Sequence, residues 1–172
     1  MLLLAYEYIN TRQQGATMKE RIKNWPAIAP GAYQAMAAVE KYARNSGLEH
    51  SLIELVKLRC SQINHCAYCI DMHWKDARAA GESEQRLYGL MAWDESPYYT
   101  DRERAAFKWA EAVTLLTEGF VPDTVYDSVR THFSEKELVD LTMVVVAING
   151  WNRLSVSFRT EAGGYKPGMF NK

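Results

Sequence analysis

Met143-Val144-Val145-Val146-Ala147-Ile148 is the stretch on which the fold class turns, because its β-branched residues suit a buried strand as well as a helix. The flanks decide the matter. Ser134, with Glu137 three residues on, forms a capping box that should open a helix. The pattern continues from there through Phe158, and that length outweighs local β propensity. Further out, Ser51 with Glu54 and Thr100 with Glu103 repeat the same capping spacing. A helical pattern from about Gly31 to Arg44 stops near Asn45 and Gly47, Gly81 then Ser83 marks a stop and a restart, and Pro97 and Pro122 punctuate the second half. No alternating segment carries turn chemistry on both sides. The expectation is an all-α chain of about seven helices.

Its 172 residues favour one domain, expected over 21–160, with an N-terminal extension at 1–20 and a loose C-terminal tail at 161–172. Met18 opens a sequence that reads like the start of the domain, which makes it a candidate physiological start. Lys and Arg total 20 against 21 Asp and Glu, so no general field attracts phosphate backbones, and nucleic acid is not expected as a partner. The longest apolar stretch, Leu141 to Ile148, is far short of the ~20 residues of a membrane helix. Met1 to Tyr8 is apolar without a basic leader or a cleavage site, so a cytoplasmic location is expected. Three cysteines are too few for a disulfide scaffold; in a reducing compartment a close pair points to catalysis or metal binding.

That pair lies in Asn64-His65-Cys66-Ala67-Tyr68-Cys69-Ile70-Asp71-Met72-His73, at a helix start. At 100° per residue, Cys66, Cys69, Ile70, His73, Ala77 and Ala80 share one face. Free N–H groups and the helix dipole at such a start stabilise a thiolate and can lower a cysteine pKa from ~8.5 to ~3.5–7.5. His73, four residues after Cys69, is placed to take the thiol proton. Cβ atoms at i, i+3 in a helix sit ~5–6 Å apart, so closing a Cys66–Cys69 disulfide needs a modest local adjustment.

Glu54 stands in the preceding helix. If the two helices fold back antiparallel across Asn64, Glu54 and His73 come to similar heights and the carboxylate meets the imidazole before either thiol. The helical wheel argues otherwise. Leu52, Ile53, Leu55, Val56, Cys60 and Ile63 form the apolar arc, and Glu54 lies nearly opposite with Lys57 and Ser61. A relay through Glu54 therefore requires that helix to be covered on both faces, for which a second subunit is one candidate. A cap or surface role for Glu54 is the alternative.

The spacing Glu, eleven residues, Cys, two residues, Cys, three residues, His is met at Glu54, Cys66, Cys69 and His73, and in this the chain resembles the AhpD-like alkylhydroperoxidases of the carboxymuconolactone decarboxylase superfamily. Further similarity runs from about Ile22 to Phe158 and includes Asn149-Gly150-Trp151-Asn152-Arg153. The resemblance implies an AhpD-like helical fold assembling into trimers or hexamers. It implies Cys69 as the attacking thiol, Cys66 as the resolving one, and Glu54 and His73 as the proton relay. Organic hydroperoxide would be the substrate, in antioxidant defence, with no bound cofactor or metal and an external thiol reductant such as a lipoylated or dithiol protein. The best-known members carry a second histidine where this chain has Tyr68. The true decarboxylases of the superfamily lack the cysteine pair.

Other readings attach to the same residues. A general dithiol–disulfide oxidoreductase or redox sensor would use the same pair, and a non-catalytic oligomeric binding protein would leave its thiols ordinary. Zinc could recruit His65 or Cys60, but structural sites bring two separated pairs and only one exists. Cys60 reads as a packed core thiol, His65 as a loop residue, and His50 and His132 as surface groups. Tyr68 and Trp151 are candidate pocket residues, each with core packing as the alternative. Asn149, Asn152 and Arg153 should form a polar network near the pocket or a subunit contact. Five tryptophans and ten tyrosines exceed what a small helical core hides, so some should line an interface.

Overall fold

A computed structural model describes residues 19–170. The proposed start at Met18 and nearly all of the 1–20 extension lie outside the described residues. These residues form nine α-helices and one 3-10 turn, with no strand among them. The helices are α1 (Trp25–Ile28), α2 (Pro30–Arg44), α3 (His50–Ile63), α4 (Ala67–Ala79), α5 (Glu84–Gly89), α6 (Asp101–Thr114), α7 (Leu116–Gly119), α8 (Asp123–Arg130) and α9 (Glu135–Phe158), with the 3-10 turn at Leu90–Ala92 after α5. Seven of the nine have six residues or more; the two four-residue helices, α1 and α7, are too short to leave a periodic pattern.

The β-branched run is helical, inside α9. Val144, Val145, Ala147 and Ile148 are buried there, and the capping box at Ser134 and Glu137 is complete, as is the one at Thr100 and Glu103 that opens α6. The Ser51–Glu54 box does not form. α3 begins two residues earlier than such a box requires, at His50, with Glu49 at its N-cap and no side-chain cap, so Ser51 lies inside the helix and the Glu54 carboxylate crosses to α4. α4 ends at Gly81 in a Schellman motif: Gly81 N–H donates to Arg78 O and Glu82 N–H to Ala77 O, with Gly81 at φ 97°. Ser83 then caps α5.

α3 is the centre of the molecule. It packs against α4 on one side and α6 and α9 on others, and it buries Leu52, Ile53, Leu55, Val56 and Leu58 together with Glu54, Lys57 and Ser61. The cover expected over its polar side, with a second subunit as one candidate, comes from α2 and α4 of the same chain, which supply the partners.

The segment after α9, expected to be loose, is docked on α4. Tyr165 is buried and its hydroxyl donates to Asp76, Gly163 N–H donates to Asp71, and Lys75 donates to the carbonyls of Gly163 and Tyr165. The first helices are fastened by aromatic packing: Trp25 lies against Tyr33, Trp151 and Phe158.

Candidate redox site

The turn between α3 and α4 carries the sulfur chemistry. α3 ends on Asn64 in another Schellman arrangement: His65 N–H donates to Gln62 O and Cys66 N–H donates to Ser61 O. His65 occupies the left-handed position at φ 53°, which fixes this exposed residue as part of the turn. Cys66 is thus held at both ends. Its amide closes α3, and its sulfur sits at the N-cap of α4, accepting the Cys69 N–H at 3.3 Å. Because the Cys66 backbone is extended, the two Cα atoms are 5.3 Å apart and Cys66 and Cys69 are joined in a disulfide. Both are buried.

Two turns along, the deeper chemistry begins. His73 and Glu54 are 2% and 1% exposed, and the imidazole Nδ1 lies 2.7 Å from Glu54 Oε2. Burial pushes the Glu54 carboxyl up, but the hydrogen bond to His73 and the positive charges of His73, Lys57 and Arg44 outweigh it and hold the pKa at about 2. Glu54 is therefore a carboxylate and can only accept, so His73 Nδ1 carries the proton. Behind the pair, fully buried Lys57 donates to Glu40, which also accepts from Arg44 at 2.7 Å. Burial opposes ionisation of Glu40 as well, and Lys57 with Arg44 holds its pKa below the usual value.

A polar network supports the turn. Asn64 donates to Asn149 and Asn152, each at 2.9 Å, and Asn152 donates to Ser61 Oγ. Asn149 donates to Thr114, whose hydroxyl donates to Cys60. Arg153 anchors to Asn149. This ties α9 to the sulfur-bearing turn. Cys60 is fully buried, and burial pushes its pKa up to about 12, a non-nucleophilic thiol.

Of the remaining candidates, Tyr68 is half-buried; burial, then the charges of Asp71 and Tyr33, raises its hydroxyl above the ordinary value. Trp151 sits in the aromatic cluster with Trp25 and Tyr33. His132 is exposed. His50 is also exposed, but its Nε2 is 3.9 Å from Glu54 Oε1. Among the described residues no group of His, Cys, Asp and Glu is arranged to hold a metal ion. Lys57 and Glu40 escaped the sequence reading, because Glu54, Lys57 and Ser61 on one stripe opposite the apolar arc of α3 carry the pattern of a solvent face.

The same architecture and much of the same sequence occur elsewhere. Residues 30–112 match the model of the carboxymuconolactone decarboxylase family. The uncharacterized protein YdfG of Bacillus subtilis is 43% identical over 145 residues, covering 84% of this chain and 98% of its own. The chain belongs to the carboxymuconolactone decarboxylase family. Within it, a crystal structure of an Agrobacterium tumefaciens protein of unknown function, whose name proposes an AhpD antioxidant defence role, superposes with TM-score 0.82 at 46% identity. It covers 86% of this chain and all of that one. The family member described here therefore has the AhpD-like helical fold. The debrominase Bmp8 shares that fold at 15% identity, with TM-score 0.69 over 80% of this chain and 74% of its own. None of the helices described is long and apolar enough to cross a membrane.

Proposed function

We infer that the protein is a thiol-dependent peroxidase that reduces organic hydroperoxides in the cytoplasm, with Cys69 attacking and Cys66 resolving. The observation that carries this reading is a Cys66–Cys69 disulfide at the first turn of α4, followed on the same helix by His73 in a buried bond to the Glu54 carboxylate. In the reduced protein the α4 amides favour a Cys69 thiolate. Its attack on the peroxide breaks the O–O bond and leaves a sulfenic acid, while the alkoxide takes a proton supplied through His73. Cys66 then condenses with the sulfenic acid, releasing water and restoring the disulfide. An external dithiol or lipoylated protein resets the pair. No resident metal or cofactor takes part. Assembly into trimers or hexamers is supported by apolar side chains left on the surface, including Leu116, Phe120, Val139 and Val146.

Stopped-flow oxidation of the reduced protein by cumene hydroperoxide tests the reading. Wild type should consume peroxide, Cys69→Ser should not, and Cys66→Ser should accumulate a sulfenic acid detectable by mass spectrometry. Equal rates in wild type and Cys69→Ser remove the assignment. A general dithiol–disulfide oxidoreductase is the second reading, favoured by Tyr68 where the peroxidases carry a histidine; disulfide exchange without peroxide consumption would establish it.

A further inference from the structure

Glu54 and His73 are sealed from solvent on nearly every side, and so are both sulfurs. Yet the proposed cycle moves a proton across this boundary twice. When a dithiol with two S–H groups reduces the disulfide, one proton ends on Cys66, Cys69 becomes a thiolate, and the second proton leaves. In the oxidising half, the thiolate and hydroperoxide take one proton back to give the sulfenic acid and an alcohol. The buried pair therefore needs an outlet.

The structure provides one beside Glu54, whose two oxygens face different partners: Oε2 meets His73 and Oε1 faces His50. A cleft of about 180 Å³ is lined by Ser51, Glu54, Ala77, Ala80, Gly81 and Glu82. Its volume accommodates water. His50, one residue before Ser51 of its lining, has a side chain 60% exposed and its Nε2 3.9 Å from Glu54 Oε1, close enough for direct ion pairing. The other charged groups facing Glu54 are His73 from α4, Lys57 from its own helix, Arg44 from α2 and Glu82 across the cleft. Lys57 and Arg44 are engaged with Glu40, Glu82 with Arg86 and Ser83. His50 alone of these combines an exposed side chain with an imidazole, whose ring nitrogens can both donate and accept a proton.

We propose that His50 and the cleft at Glu54 form the proton port of the buried pair, with His50 a positioning residue that exchanges protons between solvent and the Glu54–His73 bond. The inference deepens the peroxidase reading, but its test uses the disulfide form and no peroxide. The His73 Nδ1 proton is followed by its downfield NMR resonance, and its exchange with water is measured by saturation transfer. His50→Gln should slow that exchange at least ~10-fold, a modest share of what a placed proton-transfer group supplies. Added imidazole should restore it. Ala80→Leu, which fills the cleft from an exposed position, should slow exchange without rescue. A resonance seen only in the variants is the same result. Unchanged exchange in both variants overturns the port, as does slowing in His50→Gln that imidazole leaves in place. Failure of the peroxidase reading would show instead as no Cys69 oxidation by hydroperoxide, with the exchange behaviour intact.

Discussion

Ser134–Glu137 and Ser51–Glu54 carry the same spacing and end in opposite places. Glu137 folds back on its own helix, accepting from Ser134 N–H at 2.8 Å, with Arg102 as a partly exposed second partner. Glu54 is the fifth residue of a helix that starts at His50 without a side-chain cap, and it binds His73 in the interior. Both carboxyls are held at about 2, one by the backbone and hydroxyl of Ser134, the other by the hydrogen bond to His73 and by the charges of His73, Lys57 and Arg44, which together overcome burial. A short motif therefore proposes a local bond, and where the helix begins decides whether that bond is made. The same depressed acidity results from two unrelated causes, and experiment can separate them.

The largest effect expected is on Glu54. Its replacement by Ala leaves buried His73 without its carboxylate and should cost about 3–5 kcal/mol, read from the urea midpoint. Glu54→Gln should in addition slow Cys69 oxidation by ~10²-fold or more. Acid comes next. Both groups sit below the unfolded value near 4.5, so each contributes stability that is complete above that pH and lost as pH falls toward 2. Glu137 is exposed and screened, so the larger loss belongs to Glu54. Urea midpoints measured from pH 5 to pH 2.5 should flatten more in Glu54→Gln than in Glu137→Gln. Ser134→Ala should then cost about 1 kcal/mol as an ordinary lost cap. Ser51→Ala, at the motif that does not form, should change stability by less than ~0.5 kcal/mol; a loss as large as that of Ser134→Ala would show the two motifs to be equivalent after all.

Most of the architecture was legible because helix signals are local. Thr100 and Ser134 announce α6 and α9, Gly81 and Ser83 mark a true stop and restart, and the length of α9 settles its β-branched run. The sulfur pair at a helix start, and the closeness of Glu54 to His73, followed from spacing and rise. The rest was set by contacts between distant residues. Nothing near Ser51 announces that His73 will claim Glu54. The wheel of α3 assigned Lys57 to water because a wheel cannot show that α2 brings Glu40 to meet it. The last segment looked loose because what holds it is the burial of Tyr165 and hydrogen bonds to Asp71, Lys75 and Asp76 of α4, and such contacts leave no periodic trace.

The double attachment of Cys66 decides how the redox chemistry should be dissected. Its amide terminates one helix and its sulfur begins the next, so removing the side chain outright disturbs scaffold and reactivity together. Serine keeps an oxygen where the sulfur received the Cys69 amide and is among the best residues for that place, whereas alanine leaves the amide bare. A serine knockout thus reports on electron transfer by itself. An alanine knockout would mix lost chemistry with a frayed α4, and discrepancies between two such mutants would measure how much this one side chain contributes to holding the helix together.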